Sequence, residues 1–366
     1  MKILILTAKF GMGHYSASHS IEQQIQQKFP NASISIVDFF EYSAPRVSNI
    51  LYKSFNLLIN RASTCYNFFY RLSEKGEINQ KPILVDYFSR SLQQLINELN
   101  PTLIISTVPF CSQLLSHYDK KSKKRIPFVT CITDVSSHCE WINENTTYYL
   151  VASLSIKMDL INKGVHASQI QVIGIPVKRE FNEPIESSFK NSQSYEKKLL
   201  IMGGGLGLLP KSESFYEALN QLNHVKTTVI TGKNKRLFNL LHNKYQNIEV
   251  IGFTDQVYKF MQEADLMISK PGGITVFEAI NSEIPLLVFE PFLQQEVNNA
   301  NFISLHCLGH VIQKKQTDYI EMVSNLIYDA KALDEIKRNM QQLKKQFDKN
   351  ALEEIILSVQ LGAYAS

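Results

Sequence analysis

Short apolar runs alternate with helix-period stretches along almost the whole chain. Ile3–Thr7, Ser33–Val37, Thr102–Ser106, Phe128–Ile132 and Tyr148–Ala152 read as strands. The first of these is apolar enough to be a buried strand. Between the first two, Ala17, Ile21, Ile25 and Phe29 recur at helical spacing and stop at Pro30, as a helix does. The second half repeats the rhythm with strands at Leu199–Met202, Thr228–Ile230, Glu249–Ile251, Leu266–Ser269 and Leu286–Phe289. Helical segments near 212–222, 234–245, 255–263, 274–282 and 296–306 separate or follow them. Strand and helix alternating over two halves predict two doubly wound α/β domains. The junction falls at Gly174-Ile175-Pro176, before the polar stretch 180–194, which gives domains 1–176 and 177–366. A last helix near Ala351–Leu361 is a candidate to pack back on the first domain.

Composition adds limits. Hydrophobic residues make up 44% and charged residues 20% of 366, which excludes a disordered or collagenous chain. The net charge of +4 is too weak to argue for nucleic acid. It is also uneven. Residues 1–176 carry 17 Lys/Arg against 12 Asp/Glu, and residues 177–366 carry 21 against 22, so an anionic surface belongs with the first half. Five cysteines without Cys-x-x-Cys spacing suit reduced thiols in the cytoplasm. The first apolar run breaks at Lys9, too early for a signal peptide, and no run reaches the length of a membrane span.

Residues 39–88 stand apart. They hold 11 aromatics, and no acidic residue lies between Glu41 and Glu74, whereas Arg46, Lys53, Arg61 and Arg71 do. With Ile50, Leu51, Phe68 and Phe69 this segment is a candidate for the plane of a membrane interface; the alternative is a set of core helices. The run Lys120–Arg125 reads as a solvated loop.

Three glycine-bearing loops follow strands. Gly11-Met12-Gly13-His14 lies between the first strand and its helix, where backbone and a helix N-terminus could approach an anion. Ser16 replaces the third glycine of a dinucleotide fingerprint, which disfavours NAD even though Asp38 closes the second strand. Gly203-Gly204-Gly205-Leu206-Gly207 lacks the Gly-Lys-Ser/Thr ending of a P-loop. Lys270-Pro271-Gly272-Gly273-Ile274-Thr275 opens a helix whose first N–H groups could hold a phosphate, with Glu278 one turn in as a candidate for a ribose diol. Gln294, Gln295, Glu296 and Asn299 supply the mixed donors and acceptors that sugar hydroxyls need.

Taken together these segments resemble the GT-B glycosyltransferases: α/β, two Rossmann-like doubly wound domains with a cleft between them. More narrowly, the chain resembles the family of monogalactosyldiacylglycerol synthases and processive diacylglycerol β-glucosyltransferases. The resemblance is carried by Gly11, Gly13, His14 and Ala17; Ile132-Thr133-Asp134 with His138 and Trp141; Gly174–Val177; Met202–Gly205; Gly232-Lys233-Asn234; Gly252-Phe253; Lys270–Thr275 with Glu278-Ala279; and Gln295-Glu296 with Asn299-Ala300. Met12 and Gln294 depart from it, since relatives often carry Gly or Asn at the first position and Gly at the second.

The resemblance implies a peripheral enzyme on the cytoplasmic face of the membrane. It would move a hexose, glucose first, from a uridine diphosphate (UDP) sugar to diacylglycerol with inversion. Galactosyl transfer, a sugar-nucleotide epimerase and a nucleotide-sugar sensor are the alternatives. It further implies that Gly203, Gly204, Gly205, Gly232, Phe253, Lys270, Gly272, Gly273, Ile274, Thr275, Glu278, Gln295, Glu296 and Asn299 bind the donor. His14 is the candidate base, with Asp134 its competitor or orienting partner. Gly13, His138, Trp141, Arg46, Lys53, Phe68 and Phe69 would face acceptor and lipid, anionic lipids included. No Asp-x-Asp occurs, so no metal is expected, and Leu286 stands where retaining relatives carry a second glutamate after Glu278.

Overall fold

The structure, a computed structural model, describes residues 1–10, 12–61, 67, 84–121, 125–183, 196–313 and 319–362. It divides into two compact units: Met1–Lys178 with Leu293–Gln295 and Gln346–Ser366, and Arg179–Phe292 with Glu296–Lys345.

The first unit is built on β1 (Lys2–Thr7), β2 (Ser33–Asp38), β3 (Leu103–Ser106), β4 (Phe128–Cys131), β5 (Tyr148–Val151) and β6 (Ile170–Val172). All pairs are parallel and the order is β2-β1-β3-β4-β5-β6. The continuous apolar run of β1 is explained by burial on both faces. Ile3 and Ile5 pack with Ile21 and Ile25 of the helix Gly13–Lys28. Leu4 and Leu6 point the other way, toward Phe39, Phe40, Phe88 and Leu92. Leu352, Ile355 and Ile356 of the C-terminal helix Ala351–Gln360 join the Ile3 side, so the end of the chain completes the core of the unit that its beginning nucleates.

The two ends of the aromatic segment 39–88 are therefore core. Phe39, Phe40 and Phe88 pack against Phe110 in tilted and edge-to-face pairs at centroid distances of 5.0–6.4 Å. The helix Pro45–Arg61 differs. Its inner side carries the buried Ser48 and the half-buried Tyr52, which donates to Asp38 Oδ1 at 2.6 Å, while Arg46, Val47, Ile50, Leu51 and Lys53 are exposed. Phe68, Phe69 and Arg71 lie outside the described residues, as does the Arg61 side chain. Within the Lys120–Arg125 run, Lys120 pairs with Glu144 and Arg125 with Asp119.

The second unit contains β7 (Lys197–Met202), β8 (Val225–Ile230), β9 (Ile248–Ile251), β10 (Leu266–Ser269), β11 (Leu286–Phe289) and β12 (Gly309–Ile312), all parallel, in the order β12-β11-β10-β7-β8-β9. The sequence reading had no counterpart for β6 or β12. Both are short strands at a sheet edge, whose apolar signal is interrupted by Gln171 and by Gly309-His310. Helices Tyr319–Ile327 and Ala330–Lys344 also went unread.

In each sheet the order reverses once: β2 and β3 flank β1, and β8 and β10 flank β7. At such a point the loops leaving the strand ends diverge and leave a crevice for ligands. Among the described residues no helix is long and apolar enough to cross a membrane.

Ile356 is 1% exposed in the core beside β1 and β3. Ile356→Ala is expected to destabilise the first unit by about 2–5 kcal/mol, read as a fall in the denaturant midpoint.

Candidate active site

In the first unit three strand ends converge. After β1 the chain turns through Met12, whose φ of 68° lies in the left-handed region that Gly or Asn adopts more readily. Gly13 then opens the helix and His14 sits in its first turn. Past β3, the Thr107 hydroxyl lies 3.0 Å from Thr7 Oγ1, which ties the loops of β1 and β3 together. Past β4 come Thr133 and Asp134. His14 Nδ1 is 2.7 Å from Thr133 Oγ1, and the ring also hydrogen-bonds to the Thr107 backbone.

Asp134 is 8% exposed and hydrogen-bonds to the Trp141 side chain. Burial pushes its carboxyl above the usual range, and the charge of a protonated His14 pulls in the opposite direction. Burial lowers the His14 pKa, against the pull of Asp134 and the Thr107 backbone. His14 keeps an accessible edge, whereas Asp134 does not, so the imidazole is the more open of the two to a reactant. At neutral pH the neutral imidazole can accept a proton, and Asp134 can stabilise the cation that forms.

The rest of this loop is held from behind. His138 is 2% exposed, and its Nδ1 accepts from Glu140 N at 3.2 Å, capping the short turn Cys139–Trp141. Trp141 is 1% exposed with its ring 6.3 Å from that of His14. Neither His138 nor Trp141 presents a face to solvent; Trp141 lies against His14 and hydrogen-bonds to Asp134. The Lys163 ammonium donates to the Ser137 carbonyl. Tyr149 OH donates to the Asn143 carbonyl at 2.9 Å, and Asn143 Nδ2 donates to the Trp141 carbonyl at 3.2 Å. Thr133 belongs to the Ile132-Thr133-Asp134 motif but was given no role by the sequence, because only the fold sets its hydroxyl against His14.

In the second unit the loops after β7 and β8 interlock. Gly207 has φ 62°, and a Cβ there would meet Thr231 O at 1.9 Å. Gly232 has φ 54°, and a Cβ there would lie 2.7 Å from Gly205 O. Lys233 N donates to Gly205 O at 3.0 Å, and Asn234 Nδ2 to Gly207 O at 3.0 Å. Gly203 is buried; Gly204 and Gly205 are more open.

After β10 the chain enters the helix Gly273–Ser282, with Gly272 as its N-cap. The N–H groups of Gly273, Ile274 and Thr275 have no intrahelical acceptor, and the helix end carries partial positive charge. Lys270 Nζ lies 3.0 Å from Glu296 Oε1, and its stem crosses above Gly204, with Cε 3.4 Å from where a Cβ would stand. Lys270 thereby joins the β7 and β10 loops at the reversal. Asn299, 1% exposed, donates from Nδ2 to the Pro271 carbonyl at 2.8 Å. Its Oδ1 is buried without a partner among the described residues. Glu278 sits one turn into the helix, partly exposed; Gln295, at the start of the helix Gln294–Leu305, belongs to the first unit, where its Nε2 donates to Asp134 Oδ1. Phe253, after β9, is 66% exposed with Lys233 Nζ 5.8 Å from its ring centre. Arg46 and Lys53 are on the exposed side of Pro45–Arg61, and Gly11 lies outside the described residues. Among the described residues no group of three His, Cys, Asp or Glu side chains could hold a metal ion.

Residues 14–177 match the Monogalactosyldiacylglycerol (MGDG) synthase family, and residues 198–355 match the Glycosyltransferase family 28 C-terminal domain. The crystal structure of Acinetobacter baumannii MurG aligns with a TM-score of 0.63 at 16% identity, covering 98% of this chain and 99% of its own. Anabaena HepE, solved in complex with UDP-glucose, aligns with a TM-score of 0.56 at 14% identity, over 99% of this chain and all of its own (100%). Two parallel sheets with that likeness define the fold as GT-B, and the family 28 match makes the class that of a glycosyltransferase. A processive diacylglycerol beta-glucosyltransferase of Bacillus pumilus is 32% identical, covering 97% of this chain and 94% of its own length. The chain belongs to the family of processive diacylglycerol β-glucosyltransferases.

The Glu296 side chain is only 7% exposed and meets Lys270. Lys270→Met is expected to cost about 1–3 kcal/mol by leaving that carboxylate unpaired. Adding Glu296→Gln should recover part of the loss, measured by chemical denaturation of the single and double variants.

Proposed function

We propose that this protein transfers glucose from UDP-glucose to the free hydroxyl of diacylglycerol, forming a β-glycosidic bond. The observation that carries the reading is the family match, which spans both units. In the step itself the acceptor oxygen forms the new bond to the anomeric carbon, while the bond from that carbon to the diphosphate breaks. The diphosphate leaves with the electron pair and the configuration inverts. His14 takes the hydroxyl proton, and the buried Asp134 stabilises the resulting imidazolium.

The second unit binds the donor. Gly273, Ile274 and Thr275 offer N–H groups to the diphosphate, with the Lys270 ammonium beside them, so developing negative charge meets fixed positive charge without a metal ion. Glu278 accepts from the ribose hydroxyls. Gly252-Phe253 and the interlocked Gly203–Gly207 and Gly232 loops border the nucleotide. Gln295, Glu296 and Asn299 serve the hexose side, Glu296 through its hold on Lys270.

The same reading makes the protein peripheral on an anionic membrane. On the helix Pro45–Arg61, Val47, Ile50 and Leu51 are exposed between Arg46 and Lys53, an apolar strip with basic flanks. Such a strip inserts at the headgroup boundary while the cations meet anionic lipid.

The test supplies UDP-glucose, UDP-galactose or UDP-N-acetylglucosamine with diacylglycerol in anionic vesicles and reads the mass of the product lipid. A glucosyl lipid whose rate is unchanged by EDTA is expected; conversion of the nucleotide sugar without acceptor would favour an epimerase instead. Glu278→Ala is expected to weaken UDP binding by about tenfold, the loss of one or two hydrogen bonds, in calorimetric titration with the melting temperature unchanged. Arg46→Glu with Lys53→Glu should reduce sedimentation with anionic vesicles; unchanged sedimentation would assign those exposed residues no part in membrane contact.

A further inference from the structure

The hydrogen bond between His14 and Thr133 constrains the base more tightly than the base assignment alone. An imidazole has two nitrogens, and a neutral ring carries one proton. Nδ1 lies 2.7 Å from the hydroxyl of Thr133, a residue that is itself 4% exposed, so Nδ1 is closed to a substrate. That leaves Nε2 to take the acceptor's proton, and the Thr107 backbone, which also meets the ring, is the rival acceptor that would hold a proton on it. Nε2 can do so only when the ring proton sits on Nδ1, and a proton there needs an acceptor. Thr133 Oγ1 is in place to be that acceptor.

We infer that Thr133 is a positioning residue that receives the Nδ1–H bond and so holds His14 in the tautomer whose Nε2 is free to act as base. The inference rests on the proposed reading that His14 is the base. The same bond persists when Nε2 becomes protonated, so Nδ1 needs no rearrangement as the proton moves. Asp134, next in the chain and buried beside the ring, meets the charge that appears. Two consecutive residues after β4 thus divide the work: the hydroxyl sets which nitrogen is bare, and the carboxylate answers the charge. The hydroxyl is fixed because its loop is fixed. Lys163 holds Ser137, and Tyr149 with Asn143 holds Trp141.

Two variants separate this role from packing. Thr133→Val keeps shape and removes the acceptor; Thr133→Ser keeps the hydroxyl. The first readout needs no turnover: long-range proton–nitrogen correlation spectra of histidine-labelled protein at neutral pH, with the His14 signal identified by its loss in His14→Gln. The wild type and Thr133→Ser are expected to show a protonated Nδ1 and a bare Nε2, and Thr133→Val to lose that preference. The second readout is transfer to diacylglycerol in vesicles. Thr133→Val is expected to lower kcat tenfold or more with KM for UDP-glucose unchanged, and to move the acid limb of kcat to lower pH, because the imidazolium loses a hydrogen-bond acceptor. Thr133→Ser should restore both. A wild-type His14 protonated at Nε2 would overturn the inference, leaving the Thr107 backbone as the ring's acceptor. So would a Thr133→Val enzyme with wild-type kcat and pH profile. A wild type with the expected tautomer but no glucosyl transfer would overturn the proposed reaction and leave the hydrogen-bond assignment standing.

Discussion

The reversal of strand order in each sheet is the constraint on which both candidate sites depend. A strand buried on both faces cannot carry polar chemistry along its length, because every position points into a core. β1, β3, β4 and β10 obey this almost without exception. Chemistry is therefore confined to strand ends, and it concentrates where the neighbouring connections lead away on opposite sides. His14, Thr107 and Thr133 gather at the β1/β3 reversal and its neighbour β4. Lys270, Gly272 and the Gly203–Gly207 loop gather at the β7/β10 reversal.

The two sites handle charge differently. In the first unit, burial raises the Asp134 pKa and lowers that of His14, while the charge of each pulls the other back toward its ionised form. In the second, Lys270 and Glu296 form a direct pair, and the pair ties the loop after β10 to the helix Gln294–Leu305. Asn299 adds a second tie to the same turn through Pro271. A phosphate-facing helix end is useful only if its N–H groups are already aimed, because alignment during the reaction would cost free energy.

The aromatic segment shows how one composition serves two surroundings. Phe39, Phe40 and Phe88 fill the core beneath the sheet. A few residues on, the helix Pro45–Arg61 turns Val47, Ile50 and Leu51 outward and keeps Ser48 and Tyr52 inward. The bond from Tyr52 to Asp38 anchors that helix to the carboxyl end of β2. Core packing and a solvent-facing apolar strip are thus neighbours on one stretch of chain.

Periodicity was enough to read ten of the twelve strands found among the described residues, and the doubly wound class, because alternation of apolar runs with helical stretches is a local property of the chain. The glycine loops and the Lys270–Thr275 turn were legible for the same reason, and their order carried the family. The edge strands β6 and β12 were not, since a short strand paired on one side needs little apolar character of its own. Nor could sequence tell that Thr133, rather than Asp134, meets Nδ1 of His14 across 119 positions, or that Glu296 meets Lys270 across 26. Which residue types stand at the strand ends is written in the chain. Which of them touch is decided only by the register of parallel strands and the order in which those strands lie.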